Sequence, residues 1–231
     1  MEPSSENDTV GAITSIETQH RKADRVSVFI DGEFAFGARA ETLANFGLST
    51  GDQVSQRQKA AILQADDRAA AYEAAVSVLT RRPRSEREVR DRLRRKGYDE
   101  LTIDHVIERL RERHYLDDDA FARIWVENRT SFRPRGEMAL RQELRAKGID
   151  REIVEETLAG AEIDDLGMAI GLAQRQSRSM EHLDDAARQR RLMGFLQRRG
   201  FRYNVIKSAL EQINLDKVSA NQPLDEGPCR D

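Results

Sequence analysis

The chain has 231 residues, of which 34% are charged and 6% aromatic, and its formal net charge is −3. This length fits one or two domains, and the charged fraction exceeds the roughly 25% of an average domain. The sequence has no apolar run near the ~20 residues of a membrane span, no signal-peptide core and one cysteine, Cys229, so we expect a soluble, cytoplasmic protein with no membrane contact and no disulfide framework.

The first 55 residues divide into a polar segment and a small β-rich module. Residues 1–10 are rich in Ser, Glu, Asn and Asp, a composition typical of disorder. Across 11–55, short alternating segments flank Asp31-Gly32, a dipeptide that favours a tight hairpin turn. A short helix is expected over about 39–46. Because the helices that follow supply their own packing partners, we expect the module to be dispensable for their folding.

The rest of the chain is organised around a repeated segment. The stretch LRRKGYDELTIDHVI recurs as LRAKGIDREIVEETL and, more loosely, as LQRRGFRYNVIKSAL. Its glycines, Gly97, Gly148 and Gly200, are 51 and then 52 residues apart, and such a fixed period is typical of repeat proteins. In each copy, a helix with apolar residues four apart ends at the glycine, and a closing helix with one apolar stripe follows.

A linking helix precedes each of these pairs, so residues 56–213 are predicted to form three tandem three-helix repeats. The repeat bounds are about 66–113, 114–161 and 162–213, and 214–231 is expected to be a disordered tail. Each repeat has one apolar face and must pack against a neighbouring copy. The predicted fold is therefore mainly α, an elongated array with a small β-rich N-terminal module, and the protein is expected to be a monomer.

Positive charge is concentrated in the middle helix of each repeat, which we call the basic helix. The segments 84–96, 133–147 and 187–199 carry net charges of +4, +3 and +5. A solvated helix face would explain one such segment, but three equivalent ones favour a surface that binds a polyanion or an acidic protein. The candidate binding residues are Arg84, Arg87, Arg90, Arg94, Arg95, Lys96, Arg133, Arg135, Arg141, Arg145, Lys147, Arg188, Arg190, Arg191, Arg198, Arg199 and Arg202.

Other residues that could carry chemistry have simpler explanations. The four histidines are scattered without metal-ligand spacing. Three aspartates at 117–119 could be imagined as a cation site, but they stand where carboxylates cap a helix start. Phe121 and Trp125 share the apolar side of their helix and are expected in the core rather than stacked on bases. No catalytic, cofactor or metal residues are predicted.

The repeats resemble the RecX family, bacterial regulators of the RecA recombinase. The matching stretches are RRPRSEREVRDRLRRKGYDE, HYLDDDAFARIWVENR and RPRGEMALRQELRAKGID, while FIDGEFAFG is similar to an extension of longer members. The third repeat is more divergent, with Asp185 and Arg188 where the second has Arg133 and Gly136.

This resemblance implies a curved array of three-helix repeats without a catalytic site. It also implies binding to the RecA filament on single- or double-stranded DNA, and lower ATP hydrolysis and strand exchange in recombination, DNA repair and the SOS response. The alternative is a DNA-binding helical-repeat protein that acts without the recombinase.

Overall fold

The N-terminal module is a four-stranded antiparallel sheet. The computed structural model describes residues 9–20 and 22–220. The strands lie in the order β3-β2-β1-β4. They are β1 (Thr9–Gln19), β2 (Lys22–Ile30), β3 (Glu33–Arg39) and β4 (Gln53–Ser55).

The predicted hairpin is confirmed between β2 and β3. Asp31 and Gly32 form its turn with φ values of 51° and 89°, and two positive φ angles give the turn the twist of the flanking strands. Val26, Val28 and Ile30 are buried, so the period-two pattern places one face of β2 in the core.

Ten helices follow in the described part of the chain, and they group in threes after a short first helix, α1 (Ala40–Asn45). In each repeat the linking, basic and closing helices share one hydrophobic core, which is separate from the cores of the other two repeats. The helices are α2 (Gln56–Leu79), α3 (Glu86–Arg94), α4 (Glu100–Glu112), α5 (Asp118–Ser131), α6 (Glu137–Ala146), α7 (Arg151–Gly160), α8 (Asp165–Ser177), α9 (Asp185–Arg198) and α10 (Tyr203–Ala220). The mainly helical fold with three-helix repeats and a small sheet is therefore confirmed.

The repeated glycines end the basic helices as the sequence predicts. Gly97, Gly148 and Gly200 have φ values of 90°, 83° and 84°, in the left-handed region that a side chain disfavours. In each copy the residue after the glycine donates its backbone N–H to a carbonyl five residues earlier, for example Ile149 to Leu144 at 3.1 Å. This closure satisfies carbonyls that the helix end would otherwise leave without donors.

The described chain forms two compact units. Unit 1 comprises Met1–Arg84 and Val89–Leu116, and unit 2 comprises Ser85–Glu88 and Asp117–Asp231. In unit 1, Ile62 of α2 is fully buried in the core of the sheet. The sheet therefore packs on α2, while the dispensability of the module for folding of the helices stays a prediction.

Within unit 2, the start of a basic helix packs on the glycine turn of the following repeat. The buried hydroxyl of Ser85 donates to the carbonyl of Lys147 at 2.7 Å. In the equivalent place 51 residues later, the backbone N–H of Gly136 donates to the carbonyl of Arg199 at 3.0 Å. The sequence period thus corresponds to a repeated stacking contact.

A second repeated contact caps the basic helices. Backbone N–H groups at helix starts lack partners within the helix. The N–H of Glu86 donates to the Asp118 carboxylate at 2.9 Å, and the N–H of Glu137 donates to Asp165 at 3.2 Å. A carboxylate at the start of each linking helix therefore stabilises the start of the preceding basic helix.

Two predicted boundaries differ from the structure. The last helix, α10, continues to Ala220, whereas the prediction ended helical order near Ile213. β1 begins at Thr9, inside the segment 1–10 that was expected to be disordered. Residues 1–8 and 221–231, the latter including Cys229, lie outside the described residues.

Candidate functional site

The basic helices present their cations outward because their apolar residues face the core. Leu140 and Leu144, four residues apart on α6, are buried, and so are Leu192 and Leu196 on α9. The remaining positions carry the arginines. Whether such a residue can meet a partner depends on the carboxylates around it.

One group of candidate arginines joins the basic helix to the closing helix. Arg90 contacts Asp104 at 2.6 Å, and 51 residues later Arg141 contacts Glu155 at 2.8 Å. Hydrogen bonds from Arg141 to Glu155 and Glu137 raise the pKa of its guanidinium above the ordinary value. Arg94 likewise bonds Glu100 at 2.6 Å. These side chains hold helices together and are poor candidates for a partner contact.

A second group surrounds Trp125, the single tryptophan of the chain. Its indole N–H donates to Glu143 at 2.9 Å, and the same carboxylate accepts from Arg129 at 2.7 Å. Arg129 and Lys147 lie 4.4 and 4.9 Å from the centre of its ring. Trp125 is half-buried and stacks on Phe121, so both aromatics have structural roles, as predicted.

Further candidates form ion pairs within their own units. Arg145 pairs with Glu155, Lys147 with Glu88, Arg135 with Glu143, Arg188 with Asp185, and Arg202 with Glu137. Arg135 lies 3.7 Å from one oxygen of Glu143, and Arg129 contacts the other oxygen at 2.7 Å, so this carboxylate is shared and compensates the charge of Arg135 only in part.

A third group remains exposed without a carboxylate partner in the described part of the chain. Two of its members lie in unit 1 and four in unit 2. They are Arg95, Lys96, Arg133, Arg190, Arg191 and Arg198. Of the other candidates, Arg84 buries its Nε without a hydrogen bond, and the side chain of Arg87 lies over Gly148.

One arginine is surrounded by like charge. Arg199 is half-buried and donates to the carbonyl of Pro134 at 3.3 Å, while its guanidinium lies 4.9 Å from the Phe195 ring centre. Burial, and then the positive charges of Arg135 and Arg175, hold the pKa of Arg199 below its ordinary value. Arg135 and Arg175 therefore add positive charge around Arg199 within unit 2.

Two residues of this surface are absent from the set predicted from the sequence. Arg175 lies on α8, a linking helix outside the basic segments, so a count of charge along the chain gave no signal for it. Phe132 lies at the end of α5 and is 80% exposed. Its place beside Arg133, Pro134 and Arg135 could have been noticed as an aromatic residue within a basic turn.

Two of the three aspartates at 117–119 cap helices. Asp117 accepts from the backbone N–H of Ala120 at 2.9 Å, and Asp118 caps α3 as described above. Over residues 9–20 and 22–220, no group of three or more His, Cys, Asp or Glu side chains could hold a metal ion. None of the helices in this part of the chain is both long and apolar enough to cross a membrane.

The fold and this surface define a helical-repeat protein with arginine-rich helices, and comparisons with known proteins identify its family. Four family models match: the Regulatory protein RecX N-terminal domain (residues 11–55) and the first, second and third three-helix domains of RecX (71–110, 117–158 and 162–210). The chain belongs to the RecX family.

Relatives and solved structures agree with this assignment. The Regulatory protein RecX of Bacillus velezensis is 35% identical over 88% of this chain and 78% of its own length. That of Clostridium botulinum (strain Eklund 17B) is 31% identical over 88% of this chain and 97% of its own. A crystal structure of regulatory protein RecX aligns with a TM-score of 0.68 at 27% identity, covering 87% of this chain and 100% of the other. These relatives are named as regulatory proteins, not enzymes.

Proposed function

We propose that the protein binds the RecA recombinase filament and lowers its ATPase and strand-exchange activity in recombination and DNA repair. The proposal rests on the resemblance to the RecX family and on the regulatory names of the relatives. The protein would act in the cytoplasm, where RecA filaments form on DNA. It would hydrolyse no ATP, so any change in hydrolysis would arise in the recombinase.

The positive charge of α9 supports a specific contact between this helix and the filament. This helix exposes Arg190, Arg191 and Arg198, and in the described chain none of them pairs with a carboxylate. Arginines held in ion pairs must lose those partners before they can bind, whereas these three need only lose water. We therefore propose α9 as the principal contact with the filament, which offers acidic protein and DNA phosphate.

A titration of the protein into a RecA–DNA ATPase assay tests the proposal. We expect hydrolysis to fall at less than one molecule per recombinase subunit, because blocked growth or a bridged pair of subunits affects more than one neighbour. The triple variant Arg190→Gln, Arg191→Gln, Arg198→Gln should raise the half-inhibiting concentration roughly tenfold, since each lost exposed charge contact is worth on the order of 0.5 kcal/mol.

A matched control separates a specific contact from a change in net charge. Arg57, Arg123 and Arg151 are also exposed and lie outside the basic helices. Their triple glutamine variant removes the same charge and should inhibit like the parent protein. If both triple variants lost the same amount of inhibition, the effect of α9 would be explained by net charge alone.

The alternative function has a distinct outcome. If the intact protein binds DNA but leaves filament ATPase and filament length unchanged at saturation, the filament proposal is wrong. A helical-repeat protein that binds DNA without the recombinase then becomes the better account.

A further inference from the structure

The turn between α5 and α6 places an aromatic ring in solvent beside three arginines. Phe132 is 80% exposed, and its backbone N–H donates to Asn128 at 3.1 Å, so the turn is ordered while the ring is not packed. Arg133, Pro134 and Arg135 follow directly. A single exposed apolar side chain is common on protein surfaces, so the ring points to a partner only together with the cations beside it.

The repeat itself does not require this aromatic residue. The equivalent position in the first repeat, 51 residues earlier, is Arg81, and the turn there reads Arg81-Arg82-Pro83-Arg84. The Pro and the flanking arginines recur, but the ring does not. Phe132 therefore contributes something to this turn other than the packing of the three-helix unit.

The neighbouring cations are fixed in place by the stacking of the third repeat on the second. The N–H of Gly136 donates to the carbonyl of Arg199, and the Arg199 guanidinium donates back to the carbonyl of Pro134 at 3.3 Å. Arg199 thus lies against the turn that carries Phe132 and Arg133. These contacts position the guanidinium before any partner arrives, which reduces the entropy lost on binding.

Negative charge is scarce around this turn. In the described part of unit 2, no carboxylate pairs with Arg133, Arg175 or Arg199. Arg135 has only a 3.7 Å contact to one oxygen of Glu143, whose other oxygen Arg129 contacts at 2.7 Å. Burial and the charges of Arg135 and Arg175 lower the pKa of Arg199, as expected for cations that repel one another and would accept an anion.

We infer that this turn binds single-stranded DNA, with Phe132 stacked on an unpaired base and the arginines at positions 133, 135 and 199 on the adjacent phosphates. An unpaired base offers a π face to the ring, and its backbone offers the anions. In a duplex the base faces are covered by their neighbours, and an acidic protein would satisfy the arginines but leave the ring without a stacking partner. The inference deepens the proposed function, because it names the nucleic-acid contact that would accompany filament binding.

The experiment measures binding of a fluorescently labelled oligo(dT) by anisotropy, without recombinase. Phe132→Leu keeps an apolar side chain and removes the ring, and we expect it to weaken binding roughly 5- to 100-fold with little change in the salt dependence. Phe132→Trp should retain binding. Arg133→Gln should lower the slope of log affinity against log salt by about 0.7.

Matched controls use residues of the same type elsewhere. Tyr115 is 56% exposed and lies in unit 1, so Tyr115→Leu should bind like the parent protein. Arg123 lines a cavity of about 470 Å³ with Asp119, Glu127 and Glu156, so Arg123→Gln should leave the salt slope unchanged. An abasic oligonucleotide of the same length should bind the parent and Phe132→Leu proteins equally.

Three outcomes would overturn the inference. The first is that Phe132→Leu binds oligo(dT) within twofold of the parent protein. The second is that Phe132→Leu loses as much affinity for the abasic strand as for oligo(dT), and either result contradicts stacking of Phe132 on a base. Competition by polyglutamate as effective as by oligo(dT), with no effect of Phe132→Leu, would assign the turn to an acidic protein surface. Because recombinase is absent, each of these outcomes can occur while inhibition of filament ATPase persists.

Discussion

At the residue scale, identical arginines on equivalent helices have different roles because their carboxylate neighbours differ. Arg141 lies between Glu137 and Glu155, whereas Arg191 on α9 faces solvent. A buried or shared ion pair resists disruption because the remaining charge would lose its partner. An exposed cation that lacks a carboxylate gains by finding one. The binding surface is therefore smaller than the set of basic residues in the sequence.

Gly136 is required by a close approach rather than by its backbone angle. A Cβ at this position would lie 2.4 Å from the carbonyl oxygen of Gly200 and 2.6 Å from the backbone nitrogen of Phe201. Because both contacts are backbone atoms, Gly136→Ala must push the third repeat away. We expect it to cost about 1–3 kcal/mol in the free energy of unfolding, measured by urea denaturation with Trp125 fluorescence.

Gly171→Ala is the control for this substitution. Gly171 lies within α8, and a Cβ there would meet no atom within 4 Å. Alanine is favoured over glycine in a helix by up to about 1 kcal/mol, so this variant should be slightly more stable than the parent. Equal stability of Gly136→Ala and Gly171→Ala would show that the contact at Gly200 relaxes without cost.

At the element scale, a buried carboxylate on α2 holds the N-terminal module. Asp66 is 4% exposed and accepts from the backbone N–H of Arg39 at 2.8 Å. The same oxygen accepts from the hydroxyl of Thr42, and the other oxygen contacts Arg25 at 3.0 Å. Strands β2 and β3 and helix α1 thus meet at one side chain. Because Asp66 belongs to α2, we expect these contacts with the module to stabilise the first repeat.

Asp66→Ala is expected to destabilise unit 1 strongly. Removal of the Asp66 carboxylate leaves the backbone N–H of Arg39 and the hydroxyl of Thr42 without their acceptor and takes the carboxylate from Arg25, and each buried polar group left unsatisfied costs roughly 1–3 kcal/mol. Far-UV circular dichroism during urea unfolding measures the loss. Asp67→Ala is the control. Burial, and then the charge of Asp66, raise the pKa of Asp67, so its ionised form is disfavoured in the folded protein and its removal should cost nothing.

The sequence predicted the elements better than it predicted the contacts. The period of 51 and 52 residues locates the basic helices and their glycines, because each repeat must present the same apolar face to pack. The burial of Asp66 gave no signal, since it lies within an Ala-rich helix beside an exposed aspartate. The contact of Arg199 with the Pro134 carbonyl depends on how the third repeat stacks on the second, which spacing along one helix cannot reveal.

At the scale of the whole molecule, the two units have separate cores, and this division predicts how the chain unfolds. The sheet and the first repeat supply the cores of unit 1, and the second and third repeats supply those of unit 2. The single tryptophan, Trp125, lies in unit 2. Its fluorescence reports unit 2, whereas circular dichroism reports both units.

We therefore expect the two destabilising variants to affect different signals. Asp66→Ala should shift part of the circular dichroism transition to lower urea and leave the Trp125 midpoint unchanged. Gly136→Ala should lower the Trp125 midpoint, because its contact with Gly200 lies inside unit 2. Helix α3 contributes residues to both units, so unfolding of one unit can affect the other. If each variant moved both signals by the same amount, the units would unfold as one cooperative body, and α3 would be the element that joins them.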